Sequence, residues 1–174
     1  MLQSRFFICS LLVVLAVLSR LLPHPPNFSP LMAIALFGGV YFTKKRDSLW
    51  VPLLAWFISD IFLGFHSLQP VIYTLVILMV VAGWKLKENL RPISILGYSL
   101  GGSVVFFIIT NFFVWLTSGM YELTGSGFIE CYTMALPFFQ NTLLGDLCFN
   151  FILFGTMFEL ERRKVLLPVK NLNT

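Results

Sequence analysis

Apolar runs separated by short basic clusters recur along this chain, and few folds accommodate that pattern. The runs cover about Phe6 to Leu22, Pro30 to Phe42, Leu49 to Leu63, Pro70 to Trp84, Pro92 to Leu116 and Met134 to Phe158. A bilayer is crossed by about 20 apolar residues in helical conformation. Only 11% of the 174 residues are charged and 57% are hydrophobic, whereas soluble domains carry about 25% charged residues. The expectation is an all-α polytopic membrane protein, six transmembrane helices in one compact bundle over residues 1–174, with a basic tail over 161–174. The run at 30–42 is the weakest of the six. It is short for a span, and it is either only slightly tilted, extended by snorkelling of Lys44 and Lys45, or only partly inserted. Ser29-Pro30 before it reads as an N-cap with a first-turn proline.

The distribution of charge gives a direction. Six spans place both termini on one side, and every lysine and arginine except Arg20 then falls on that face or its edge. The positive-inside rule makes this face cytoplasmic, so the termini are N-in and C-in, in a bacterial cytoplasmic (inner) membrane. The same rule accounts for the net charge of +4 without a nucleic-acid partner, and none is expected. The first run continues through Leu22 with no small-residue cleavage site after it, so it reads as a span. Cys9 and Cys148 lie in apolar runs and Cys131 in a polar loop, a spacing that implies neither a disulfide framework nor a metal motif.

Within the last run the residues stop being uniformly apolar. Thr142, Asp146 and Asn150 recur at i, i+4 spacing, which places them on one face of a helix. Amides and carboxylates in hydrocarbon require partners, water or a ligand. The outer half collects further polar and aromatic groups. Arg20, His24, Asn27, Phe28 and His66 lie in outer loops or at their edges, and Asp60 in the second half of the third span. Asn111 and Trp115 stand near the end of the fifth, Tyr121 in the polar segment 117–133, and Gln140 and Asn141 in the first turns of the sixth. Together they describe a pocket open to the outside, with a polar floor and aromatic walls.

Each member has a plainer reading. Asp60 and Asp146 also fit as structural carboxylates paired with Arg20, a hydroxyl or a backbone group. Asn111, Gln140 and Asn141 fit as interhelical hydrogen-bonding groups, Trp115 and Tyr121 as an interfacial aromatic belt, and His24 and His66 as loop residues. Ala35-x-x-x-Gly39 and Gly97-x-x-x-Gly101 are small-residue pairs suited to close helix approach. No catalytic or nucleotide-binding motif is present, so neither enzymatic activity nor a cofactor is expected.

Two blocks carry a resemblance: the early HPPNFSP followed by LFGG, and the late PFFQNTLLGDL. On these the chain resembles, over nearly its whole length, a family of uncharacterised bacterial six-span proteins assigned to transport. That family is in turn similar to the substrate-binding S-components of energy-coupling factor (ECF) vitamin transporters in size, span number and loop layout. The resemblance implies a vitamin or metal ion bound from outside, with the Arg20 to Pro30 connection as a lid and Asn111, Gln140, Asn141 and Asp146 in the cavity. It also implies a transmembrane coupling protein with two ATPases as partners. The chain departs from it on the first span, where Ser10, Ala16 and Ser19 give no small pair at i, i+4 for docking such a module.

The expected function is therefore binding and uptake of a small vitamin-like micronutrient. The alternatives are a non-transporting scaffold of an envelope-assembly complex and, with no positive signature, an intramembrane enzyme.

Overall fold

The computed structural model describes residues 2–169; Lys170 and the remainder of the basic tail lie outside the described residues. The described residues form six α-helices: α1 (Leu2–Leu18), α2 (Leu31–Tyr41), α3 (Lys45–Leu63), α4 (Gln69–Glu88), α5 (Pro92–Thr117) and α6 (Gly125–Arg162). A 3-10 turn, Ser19–Leu21, follows α1. Segments of α4, α5 and α6, and Ser4–Leu21 at the first helix, are long and apolar enough to cross a membrane. Their outward faces are apolar too. Phe151 is 82% exposed while Phe154, three residues on, is 2% exposed, as expected of a helix with hydrocarbon outside and protein inside.

The helix at 31–41 is the organising element. All eleven of its residues are buried, and it packs most extensively against α4, then α3 and α6. At 1.5 Å per residue it is about 16 Å long, roughly half the hydrocarbon thickness. It is neither tilted against lipid nor extended by lysines; it is a core helix wrapped by its neighbours. LMAIALFGGVY offers no polar face, and a helix apolar all round belongs inside.

Glycines set how closely the wrapping comes. A Cβ on Gly39 would collide with the Val80 carbonyl and lie 2.8 Å from the Gly83 Cα, so α2 and α4 touch backbone to backbone. Gly38 gives room to the Pro52 ring of α3 in the same way. The Gly97-x-x-x-Gly101 pair behaves differently from the packing role read in the sequence. A Cβ on either residue meets nothing within 4 Å, because both line an open groove between α4 and α5. Gly102 is the residue of that helix that faces a neighbour, with Met79 Sδ 2.8 Å from its Cβ position. Gly39→Ala is therefore expected to lose about 1–3 kcal/mol by overpacking. Gly97→Ala should gain up to about 1 kcal/mol of helix propensity. Melting curves of the purified variants in detergent check both, and a Gly39→Ala protein melting with the wild type would contradict the close approach.

The turn between α5 and α6 is shorter than the polar segment suggested. Helix α6 begins at Gly125, not near Met134, because the Thr124 side chain caps it by accepting the Gly127 N–H at 3.2 Å. Its first turns are held by aromatics, Phe128 edge-on to Trp115 and Tyr132 edge-on to Phe107. Cys131 thus lies buried in a helix, with its Sγ 3.5 Å from the Asn111 carbonyl oxygen, and not in an open loop.

Successive helices alternate in direction. At one end Arg5, buried beside Tyr41, pairs with Glu161 at 3.1 Å and donates to the Leu167 carbonyl. Lys45 and Lys87 share a cleft at that end. At the other end the close of α1 meets the second half of α3 and the start of α4. The candidate site lies there.

Candidate ligand-binding site

The first N–H groups of any helix lack intrahelical partners. For a helix starting inside a bundle, the missing acceptors must come from other elements. The residue before α2 is Pro30, and no side chain of its own segment caps it. Asp146 of α6 takes that place, its Oδ1 accepting the Ala33 N–H at 3.2 Å and its Oδ2 the Ser103 hydroxyl of α5 at 2.6 Å. The carboxylate, 1% exposed, also complements the positive end of the α2 dipole. One turn further along, Asn150 accepts no bond at its Oδ1 among the described residues, while its Nδ2 donates to Ser99 Oγ at 2.9 Å. The i, i+4 stripe faces inward as the spacing requires. Its upper members border a hollow, and Asn150 lies in the seam between α5 and α6.

The connection from α1 descends onto this point. Phe28 N–H bonds to the Pro25 carbonyl at 3.0 Å, closing a turn with Pro26 and Asn27 at its centre. Asn27 has φ 63°, a left-handed conformation that asparagine tolerates. Asn141 of α6 donates to the Pro26 carbonyl at 2.9 Å, and Gly145 lets the Ser29 backbone approach to about 3 Å of where a Cβ would stand. Ser29 is thus packed on α6 and is not the cap of α2.

Between this connection, α3, α4, α5 and α6 lies a cavity of about 320 Å³, bordered by Arg20, His24, Asn27, His66, Gln69 and Asp146, among others. A second lobe of about 270 Å³ adjoins it through shared residues Asn27, His66, Ile72, Phe106 and Thr142. This lobe is walled by Phe107, Phe138 and Phe139, with Asn111 on its rim. Ligand sites of small molecules have this size and make-up.

Behind the first lobe stands a buried ion pair. Arg20 Nη1 is 2.8 Å from Asp60 Oδ1 and also bonds the Ser59 hydroxyl. Its guanidinium lies 3.4 Å from the Trp56 ring centroid, a cation–π geometry. Asp60 Oδ2 accepts from Tyr73 at 2.8 Å and Gln69 at 3.1 Å. Both carboxylate oxygens are occupied, as a buried charge requires. Asp60 does not border the cavity; it fixes Arg20 and Gln69, which do.

Of the twelve candidate residues, Arg20, His24, Asn27, His66 and Asp146 converge on the first lobe and Asn111 on the second. The others lie elsewhere. Phe28 turns onto Phe149 of α6 with ring centroids 6.0 Å apart. Trp115 joins the aromatic cluster at the α5–α6 turn and donates to the Glu122 carbonyl at 3.0 Å. Tyr121 is in that turn, half-buried; Gln140 is exposed, and Asn141 holds the descending connection. Gln69, Trp56 and Phe106 border the cavity without having been singled out for it, and Thr142 does so as a member of the polar stripe. Trp56 stands four residues before Asp60 and Thr142 four before Asp146, so helical spacing from the two acids points to both. Among the described residues no three His, Cys, Asp or Glu side chains come together as a metal cluster.

Helices with apolar outer faces, four of them long enough to cross a bilayer, are the features of a helical membrane protein, and this one encloses a two-lobed cavity. The chain belongs to DUF6580, a family of unknown function, whose model matches residues 1–169. No curated protein and no solved structure matches it.

Proposed function

We propose that the protein is a multi-pass protein of the bacterial cytoplasmic membrane, with both termini inside, that binds a small vitamin-like micronutrient from the outer face for uptake. The observation that carries this reading is the two-lobed cavity beneath the 23–30 connection. One lobe offers the Arg20 guanidinium, two imidazoles and four side-chain amide or hydroxyl groups, and the other an aromatic wall. A ring-bearing compound with an acceptor group fits that pair: its ring sheds water against Phe106, Phe107 and Phe139, and its acceptor meets Arg20 and His66. The connection acts as a lid, clasped to α6 by the Asn141–Pro26 bond in the state seen here. Release of that clasp admits ligand. The sequence carries no nucleotide-binding motif, so any ATP-driven step of uptake falls to partners such as a coupling protein with ATPases, and the role assigned to this chain is binding and not catalysis.

A thermal-shift panel of vitamins and related ring compounds on the detergent-purified protein tests this. A true ligand at one hundred times Kd stabilises by about 2.7 kcal/mol. His66 is exposed and borders both lobes. His66→Ala is therefore expected to melt like the wild type while weakening the ligand about tenfold, the worth of one hydrogen bond. A panel without a single hit, together with co-purification with cell-wall assembly proteins, would replace uptake with a scaffold role.

A further inference from the structure

A second cleft opens at the opposite end of the bundle, where α2 ends, α3 begins and α4 ends. It has a volume of about 340 Å³ and a divided character. Its rim carries Lys45, Lys85 and Lys87 against one acid, Glu88, with the Thr43 hydroxyl beside them. Its wall is apolar, made of Gly39, Phe42, Val81 and Trp84. We propose that this cleft is a binding site for the headgroup of an anionic phospholipid.

The arrangement around Trp84 is built, not incidental. Trp84 Nε1 donates to Ser48 Oγ at 3.0 Å, and Ser48 Oγ donates to the Lys45 carbonyl at 2.8 Å. The indole is thereby fixed, and Lys45 Nζ is held 4.8 Å from its ring centroid. Lys45 is also the first residue of α3, whose N-terminus has no side-chain cap. Uncapped N–H groups and the helix dipole favour an anion at the same place, and the one acid of that first turn, Asp47, is paired with Arg46 at 3.6 Å. Glu88 does not cancel this field: it pairs only loosely with Lys85, at 3.8 Å, with both side chains about 70% exposed.

The apolar wall selects the source of the phosphate. Val81 is exposed on the outside of α4, so the wall runs without a break from the cleft onto the apolar outer surface. A lipid places its phosphate among the lysines and its glycerol and upper acyl chains along Val81 and Trp84. A free phosphate leaves that wall uncovered. Basic pockets between helices with indole at the headgroup level are the expected setting for such recognition. The site depends on the bundle lying in a bilayer and is independent of what the cavity at the other end binds.

Native mass spectrometry of the full-length protein, released from micelles holding equal phosphatidylglycerol and phosphatidylcholine, reads the preference directly. The wild type is expected to retain phosphatidylglycerol in excess. Lys45→Gln with Lys85→Gln should reduce that excess about tenfold or more, since each lysine near an anionic surface contributes about fivefold. Both side chains are exposed, so the double variant should melt with the wild type. Arg163→Gln with Lys164→Gln removes the same charge at the same end but outside the cleft, and should keep the preference within about twofold. An equal loss in both double variants means diffuse attraction and overturns the site, as does no loss in either. Competition by soluble glycerol phosphate as effective as added lipid would overturn the lipid assignment.

Discussion

Asp60→Ala is expected to destabilise the protein by about 3–5 kcal/mol, the usual result of removing one partner from a buried ion pair. The change leaves Arg20 facing Trp56 without its counter-charge and strips acceptors from Gln69 and Tyr73 together. Arg20→Met combined with Asp60→Leu should recover a large part of that loss, because neither desolvated charge then remains. Denaturation of the purified proteins in detergent separates the two outcomes. If Asp60→Ala alone melts with the wild type, the network around Asp60 is not holding α1, α3 and α4 together. The double variant has a second use. It removes the guanidinium that borders the first lobe while restoring stability, so loss of ligand binding in it reports on the site and not on folding.

Asp146→Ala should be nearly as costly. It leaves the Ala33 N–H without an acceptor in the interior, while the Ser103 hydroxyl can turn to the Ser99 carbonyl at 3.0 Å. A hydrogen bond to a charged group contributes about 1.5–3 kcal/mol, and a partly buried charge at a helix terminus up to about 2 kcal/mol. The expected loss is about 3 kcal/mol or more. Asp146→Asn keeps an acceptor for Ala33, and its amide can donate to Ser103 Oγ, so it should stay within about 1 kcal/mol of the wild type. Equal melting of the alanine and asparagine variants would show that the carboxylate does not cap α2. The asparagine variant also divides the two roles that Asp146 combines. If ligand recognition uses its charge, Asp146→Asn loses binding and keeps its stability.

These two acids show where a sequence speaks and where it falls silent. Spacing of i, i+4 was enough to place Thr142, Asp146 and Asn150 on one inward face. The same arithmetic also separates Gln140 and Asn141 from that face: at about 100° per residue they stand roughly 120–140° round from Asp146. They do not reach the cavity, and the periodicity already implied it. The partners of Asp146 were out of reach, because a cap supplied by a helix more than a hundred residues away depends on how helices are stacked, not on local order. Pairing of Asp60 with Arg20 was legible as one alternative, since few cations stand on that side. The buried state of α2 was legible in its composition, although its length drew attention toward partial insertion. The early start of α6 was not, because polar residues hide a helix held by its cap and by aromatic stacking.

The dependence of α2 on Asp146 also bears on how the protein is made. Helix α2 emerges from the ribosome well before α6, so the opening amides of α2 enter the bilayer long before their acceptor has been translated. Until then the apolar side chains of α2 suit lipid, but its opening amides lack an acceptor and it is too short to span, so water or a provisional partner must serve them. Maturation therefore runs backwards along the sequence. The final helix closes around a segment from the first quarter of the chain, and a product cut short before α6 is left with its innermost element unfinished.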